Sequence, residues 1–245
     1  MKKILTTLVA AMTISFSGSV FAADLRIATE GAYPPFNEKN AAGELVGFDV
    51  DIAKAICAQM KKTCEIVAQD WDGIIPGLVN NKYDAIIASM SITEERKESI
   101  DFAGPYYSNY IAVLASSKSN ASLDDTLKKT LGAQRSTVSS AWAEEQAGAR
   151  GTVKLYDTQT AAYADLQSGR IDALVSDLLP ALDWMKSNES FGLVGEKIDI
   201  NDKIGVGIRK NEDDLKAAID AAIAAIRTNG TYLKISKKYF GADIF

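Results

Sequence analysis

The sequence contains no histidine. Its absence removes the imidazole on which most nucleophilic triads and many metal-assisted hydrolyses depend. Cysteine is scarce as well: Cys57 and Cys64 are the only two, and two thiolates alone do not complete a tetrahedral zinc shell. No Gly-x-Ser-x-Gly and no Ser-x-x-Lys pattern is present, so carboxylates are left to serve as acid–base groups. Enzymatic function is therefore the weaker reading, and neither a metal nor another cofactor is expected. Nor is there an apolar run of the ~20 residues a membrane-spanning helix needs; the one from Ile4 to about Phe16 falls short, and the charged Asp24 and Arg26 follow it. Positive charge is in deficit too, with 27 basic against 32 acidic residues.

What is present begins with a secretory pattern over residues 1–22. Lys2 and Lys3 precede the apolar run, and Val20-Phe21-Ala22 forms a small-residue cleavage site. The mature chain is expected to start near Ala23. No cysteine stands at that point to take a lipid, so the product should be free in the periplasm rather than embedded in a membrane. Cleavage removes two basic residues and leaves 25 against 32, a formal charge of −7. Nucleic acid is thus not an expected partner, since the one basic cluster, Lys234, Lys237 and Lys238, reads as the solvated face of a C-terminal helix. In an exported chain Cys57 and Cys64, with six residues between them, are expected to form a local disulfide.

Strand-like and helix-like segments alternate along the rest. Leu25 to Ala28 reads as a strand, Val50 to Met60 as a helix with Ile52, Ile56 and Met60 at i, i+4, i+8, Glu65 to Ala68 as a strand and Trp71 to Asn80 as a helix. Ala85 to Ala88 and Glu94 to Ile100 continue the pattern. A second run follows, with strands at Ile111 to Ala115, Val153 to Tyr156 and Ala173 to Val175 and helices at Val138 to Gln146 and Ala161 to Ser168. Ile204 to Ile208 is a further strand, and helices at Asp213 to Arg227 and Tyr232 to Tyr239 close the chain. Such alternation predicts an α/β fold with parallel pairing. Gly205 and Gly207 do not open a dinucleotide loop, because Lys210 occupies the position of the third glycine and a strand runs through them.

The segment Gly47-Phe48-Asp49-Val50-Asp51-Ile52-Ala53-Lys54-Ala55-Ile56 resembles the signature of the bacterial extracellular solute-binding proteins for polar amino acids, the receptor components of ABC importers. Four more segments resemble the same family in its order: Thr29 to Phe36, Trp71 to Pro76, Ser89 to Arg96 and Gly169 to Ala173. Within the family the similarity is greatest to lysine/arginine/ornithine and histidine receptors, which carry a cysteine pair like Cys57 and Cys64. The resemblance implies a two-lobed α/β fold of the type II periplasmic-binding-protein class. One lobe would comprise residues 23–110 and 205–245 and the other 111–204, with crossings near Ser108 to Ala112 and Asn201 to Gly205. It also implies ligand-driven hinge closure, an inner-membrane permease as partner, and a monomer.

A free amino acid presents a carboxylate and an ammonium in fixed proximity. Arg96 is the candidate for the first, because a guanidinium can grip a carboxylate with two parallel hydrogen bonds; the alternative is a surface ion pair with Glu95 or Glu98. Ser136 and Thr137 precede a helix whose first amides could approach the same carboxylate, although as plain N-caps they would need no ligand. Relatives commonly have glycine where Ser136 stands. Asp177 follows a buried strand and is the candidate for the ammonium; its alternative is a cap on the helix beginning at Leu178. The resemblance places Glu30, Tyr33 and Trp71 around the ligand side chain, with Ser89, Met90 and Ser91 along one wall. Two aromatics and an acid suit an elongated cation. Glutamine or an opine are the alternative ligands, and a dehydratase-like enzyme or a purely sensory receptor the alternative classes.

Overall fold

The computed structural model describes residues 23–245; the secretory segment assigned to residues 1–22 lies outside them. β1 (Leu25–Thr29) leads into three short strands, β2 (Ala32–Tyr33), β3 (Asn37–Lys39) and β4 (Leu45–Val46). Then come α1 (Phe48–Gln59), β5 (Cys64–Ala68), α2 (Trp71–Val79), β6 (Ala85–Ser91), α3 (Glu94–Ser99) and the long β7 (Asp101–Ser116). The middle of the chain forms α4 (Leu123–Thr126), β8 (Thr130–Gln134), α5 (Val138–Ala147), β9 (Thr152–Tyr156), α6 (Gln159–Gln167), β10 (Ala173–Asp177), α7 (Leu178–Lys186) and β11 (Phe191–Leu193). β12 (Ile198–Ile208), α8 (Asp213–Thr228) and α9 (Thr231–Phe240) complete it. Among the described residues no helix is long and apolar enough to cross a membrane.

The main sheet runs in the order β5-β1-β6-β12-β7-β10-β8-β9, with β11 added beside β7. Pairing is parallel within β5-β1-β6 and within β10-β8-β9, as the alternation predicts. The expectation of a parallel sheet fails in the middle. β12 runs antiparallel to both β6 and β7, and β7 antiparallel to β10, so two parallel sets are joined through an antiparallel pair. β7 changes partner along its length: it pairs with β12 from Asp101 to Asn109 and again at Ile111, and with β10 from Ile111 to Ala115. The strand continues through Gly104-Pro105, a pair that locally favours a turn, as far as Ser116. The α/β class stands, with a mixed sheet.

Strands covered on both faces read as continuous apolar runs, and β6 is buried at all seven positions. Successive side chains point to opposite faces. Ile87 accordingly packs with Phe48, Ile52 and Ile56 of α1, and Ile86 with Ile74 and Leu78 of α2. The Ala-rich α8 lays Ile219, Ala222, Ile223 and Ile226, at i, i+3, i+4 and i+7, against the α1 side. The second parallel set has its own two cores, one under α5 around Leu131 and Val175, the other under α6 and α7 around Tyr163, Leu166 and Leu174.

Helix α1 starts at Phe48, two residues before the periodicity predicts, and Gly47 explains why the chain can turn there. Its φ is 127°, and a Cβ on it would sit 2.3 Å from the Phe36 carbonyl oxygen. Only glycine allows that approach. Phe48 is thereby seated edge-on against Phe36 and Tyr107, inside an aromatic cluster.

Cys57 and Cys64 form a disulfide between the last turn of α1 and the start of β5. The pair closes a short loop, for which chain entropy gives a stabilisation of about 2.5 kcal/mol. Replacing both cysteines by serine is expected to lower the melting temperature by about 5–10 °C at this chain size. Scanning fluorimetry of the double variant beside the oxidised parent, each free of ligand, checks this.

Candidate functional site

The candidate residues gather where strands end. Glu30 follows β1, Ser89 to Ser91 end β6, and Asp177 ends β10, while Trp71 opens the helix after β5 and Thr137 caps the helix after β8. The carboxyl edge of an open α/β sheet is the usual ligand edge, because the chain turns away there into helices and leaves a crevice. One cavity in this crevice is bordered by Tyr33, Trp71, Ser89, Arg96, Thr137 and Asp177, together with Ser91.

Arg96 sits in the first turn of α3. Thr93 caps this helix, its Oγ1 accepting from the Arg96 amide at 3.2 Å. The guanidinium donates through Nη1 to the Ser91 carbonyl at 2.8 Å and through Nη2 to the Ser136 carbonyl at 2.9 Å. Its carbon lies 5.3 Å from the centre of a Trp71 ring. These partners are all neutral. Among the described residues Arg96 makes no ion pair, so the surface pairing with Glu95 or Glu98 is not what the fold builds. Burial holds its pKa below the usual arginine range, and the opposing pull of Asp202, then of Asp177, acts to keep the proton.

Asp177 occupies the N-cap position of α7, but its side chain does not cap the helix. It turns into the crevice instead. Oδ2 accepts from the Tyr33 hydroxyl at 2.6 Å and Oδ1 from Ser139 Oγ at 3.0 Å. Burial pushes its carboxyl above the usual range against the pull of these donors.

Ser136 has φ 58°, the left-handed region that glycine tolerates and serine rarely visits. That conformation accounts for the glycine expected there from relatives. The exposed Ser136 presents its carbonyl, not its amide, to the other side of the crevice, where Arg96 Nη2 and Trp71 Nε1 both donate to it. The Thr137 amide donates to Ser140 Oγ at 3.2 Å while Thr137 Oγ1 accepts from the Ser140 amide, a closed capping box. As the structure stands, Thr137 acts as the N-cap that its sequence position suggests.

Along the wall, Ser89 is also left-handed, with φ 52°. Its Oγ donates to buried Asp49 at 2.9 Å and its amide to the Tyr106 hydroxyl at 3.0 Å. Asp49, from the signature segment, accepts from Asn37, Ser89 and Tyr106, so it anchors the wall from behind. Burial lifts its carboxyl to about 6. Met90 is fully buried in the apolar core with Ile86 and Leu78, and its side chain lies outside the first cavity. Ser91 Oγ donates to Asp202 at 3.0 Å.

Glu30 lies at the far end, on a depression shared with Asp72, Arg135 and Asp157; Trp71 borders both this space and the first cavity. Gln134 Nε2 donates to Glu30 Oε1 at 2.7 Å. Burial raises the Glu30 carboxyl to about 7, and the charges of Asp70 and Asp72 add to the rise.

Four hydrogen bonds, Tyr33 to Asp177, Gln134 to Glu30, and Trp71 and Arg96 to Ser136, join residues 40 to 144 positions apart across the crevice. Gln134, Ser139, Asn109, Asp202 and Asp49 are site or support residues that sequence reasoning did not single out. Gln134 ends β8, whose Thr-Leu-Gly-Ala-Gln lacks the β-branched run that marks a strand. Asp49 stands in the signature segment, and its absolute burial leaves no trace in helical periodicity.

The chain matches, over residues 25–242, the family described as bacterial extracellular solute-binding proteins, family 3. An L-arginine-binding protein of Pseudomonas aeruginosa is 38% identical over 260 residues, covering 100% of this chain and 99% of that protein. The lysine/arginine/ornithine-binding periplasmic protein of Escherichia coli is 34% identical over 258 residues, covering 100% and 99%. Among solved structures, an ancestral arginine-binding protein bound to arginine superposes with a TM-score of 0.84 at 38% identity, covering 89% of this chain and 98% of that one. An ancestral arginine-binding protein bound to glutamine gives 0.82 at 39% identity, covering 89% and 97%.

Proposed function

The chain belongs to the bacterial extracellular solute-binding proteins of family 3, and from that premise we propose that it is a periplasmic receptor that binds a free L-amino acid with a cationic side chain, arginine foremost, and delivers it to the permease of an ABC importer. The observation that carries this reading is one cavity bordered by a guanidinium without an acid partner and by a buried carboxylate. The first suits an α-carboxylate and the second an α-ammonium. Tyr33 and Trp71 then flank the side chain, and Glu30 faces its charged end. The relatives named for arginine, and for lysine, arginine and ornithine, support the cationic preference. The ancestral arginine-binding protein solved with glutamine keeps glutamine as the second reading.

Residues 23–110 and 205–245 form one lobe in this reading and 111–204 the other, hinged where β7 and β12 run side by side. The hydrogen bonds across the crevice correspond to the closed form. A ligand bound between the lobes contacts both only when they are shut, so its differential affinity drives closure. The protein acts as a monomer, without turnover; incubation with arginine or with a prephenate-like acid should yield no product.

The test is a thermal-shift screen of ligand-stripped protein against the amino acids and opines, followed by calorimetry. At ~100 times Kd a ligand adds about 2.7 kcal/mol, equivalent to a shift of about 5–10 °C at this size. A shift with arginine, lysine, ornithine or histidine supports the reading; silence across the panel sinks it.

Glu30 gives two further expectations. A cationic side chain favours the ionised carboxylate, so arginine binding below pH 7 must displace the proton that burial keeps on Glu30. Arginine affinity should therefore rise from pH 5 to about 7 and level off above, while glutamine affinity stays flat over the same range. Glu30→Gln should abolish that slope. It should also weaken arginine by about 10- to 100-fold, the range for a hydrogen bond to a charged group, while sparing glutamine. Equal losses for both ligands in calorimetry would remove Glu30 from the side-chain pocket.

A further inference from the structure

Asp202 lies on β12 opposite Asn109 of β7, next to the point where β7 leaves β12 for β10. Both residues are buried. The pairing register of the two strands slips between Ile198 and Asp202, so the ladder is interrupted on one side of this carboxylate. Asp202 Oδ2 accepts from Asn109 Nδ2 at 2.9 Å and from Ser91 Oγ at 3.0 Å, and Oδ1 accepts no hydrogen bond among the described residues. The carbonyl of the same Ser91 takes the hydrogen bond from Arg96 Nη1. A continuous chain thus runs from the strand pair through Ser91 to the guanidinium that borders the cavity.

Charge points the same way. Of the acids acting on Arg96, Asp202 acts most strongly, ahead of Asp177 and Glu95, and it is also the acid that acts on Asp177. Asp177 and Asp202 set two buried acidic side chains against the one guanidinium of Arg96. A zwitterion adds no net charge there, but it presents its ammonium to the two acids and its carboxylate to the guanidinium. A ligand with a carboxylate and no ammonium would bring an uncompensated negative charge. In low dielectric that is heavily disfavoured.

We propose that Asp202 is a positioning residue of the ligand site: through Ser91 it fixes Arg96, and its charge makes the site require an α-ammonium. Asp202 does not border the cavity and acts across Ser91. The inference rests on the amino acid receptor reading above. Its location between β7 and β12 also ties the ligand's charge to the strand pair about which closure takes place.

The test compares arginine with 5-guanidinopentanoate, which is arginine without its α-amino group, by calorimetry on the full mature chain. The near-isosteric Asp202→Asn keeps an oxygen acceptor for Ser91 and removes the charge. Arginine is expected to weaken about 10-fold while 5-guanidinopentanoate holds or gains, so that the preference for the ammonium falls; such a change corresponds to about one decade in Kd. Equal losses for both compounds, or no change in either, would show a merely structural residue and overturn the proposal. If Asp202→Asn fails to fold, Asn109→Ala frees the Asp202 carboxylate from one of its two anchors at a position that does not itself border the cavity, and it also removes a donor to Asp177. It should lower the same preference by about 3-fold, following the modest net worth of one hydrogen bond, and an unchanged preference overturns the proposal there too. Parent protein that binds no amino acid at all overturns the receptor reading itself and this inference with it, whereas a parent that binds arginine isolates the failure to Asp202.

Discussion

Arg96→Ala is expected to reduce affinity for every free amino acid about 1000-fold or more, whatever the side chain. The guanidinium is held from two sides, by the Ser91 carbonyl below and the Ser136 carbonyl across the crevice, and it is satisfied only by neutral acceptors. A carboxylate arriving there gains a charge-assisted, two-pronged partner that no other bordering residue supplies. Truncating one member of a buried charge pair costs 2–5 kcal/mol or more, because the other charge is left desolvated and unpaired, and about 4 kcal/mol is three decades in Kd. Arg96→Lys is the informative companion. Lysine keeps the charge but not the planar fork, and its shorter reach cannot hold both carbonyls at once, so it should recover only part of the loss. Calorimetry with arginine and glutamine on both variants checks this; an Arg96→Ala protein that still binds either ligand at parental affinity would falsify the carboxylate assignment.

Asp177→Asn should separate binding from stability. The carboxylate is buried, raised in pKa by desolvation, and tied to Tyr33 and Ser139. An amide of the same shape can still accept from one hydroxyl and donate to the other, because hydroxyls rotate. The sign of the linkage follows from the raised folded pKa. An acid raised on folding contributes most below its unfolded pKa and loses that contribution as pH rises through the folded value. Ionising Asp177 therefore costs stability as pH rises, and the neutral asparagine should match or exceed the parent in melting temperature. Binding should move the other way. Without the negative charge the α-ammonium loses its charged acceptor, and α-amino acids should weaken about 100-fold, equivalent to about 2.7 kcal/mol and within the range for a charged hydrogen bond. Paired thermal and calorimetric measurements decide it: unchanged affinity would mean that the ammonium lies elsewhere, and a large fall in the ligand-free melting temperature would make the residue a structural one. A site that is more comfortable without its functional charge is the familiar trade of stability for activity.

The elements with strong local patterns were legible before the structure. α8 and α1 show their apolar faces in the spacing of isoleucines, and the disulfide follows from two cysteines in an exported chain. Elements without such patterns were not. β2, β4 and β11 are two or three residues long, shorter than any period can reveal. β7 contains a Gly-Pro that locally argues against a strand, and its pairing with β12, β10 and β11 overrides that preference. The antiparallel joint escaped for a related reason. Strand direction relative to a neighbour depends on where the chain returns, and β12 returns some 90 residues after β7.

The site divides along the same line. Residue types and their order determined the family, the fold class and the candidates: Arg96 and Asp177 carry the chemistry that an amino acid zwitterion requires, and the resemblance pointed to Glu30, Tyr33 and Trp71 for the side chain. Only the tertiary structure decided their partners. Whether Asp177 caps a helix or meets Tyr33, whether Arg96 pairs with Glu95 or reaches Ser136, and whether Glu30 faces water or Gln134 all turn on contacts between segments up to 144 residues apart. A sequence specifies local conformation through short-range sterics and periodicity. The buried polar contacts that set charge and pKa at this site arise where separate strand ends are brought together, and they exist only once the two parallel sets and the β7–β12 pair between them have formed.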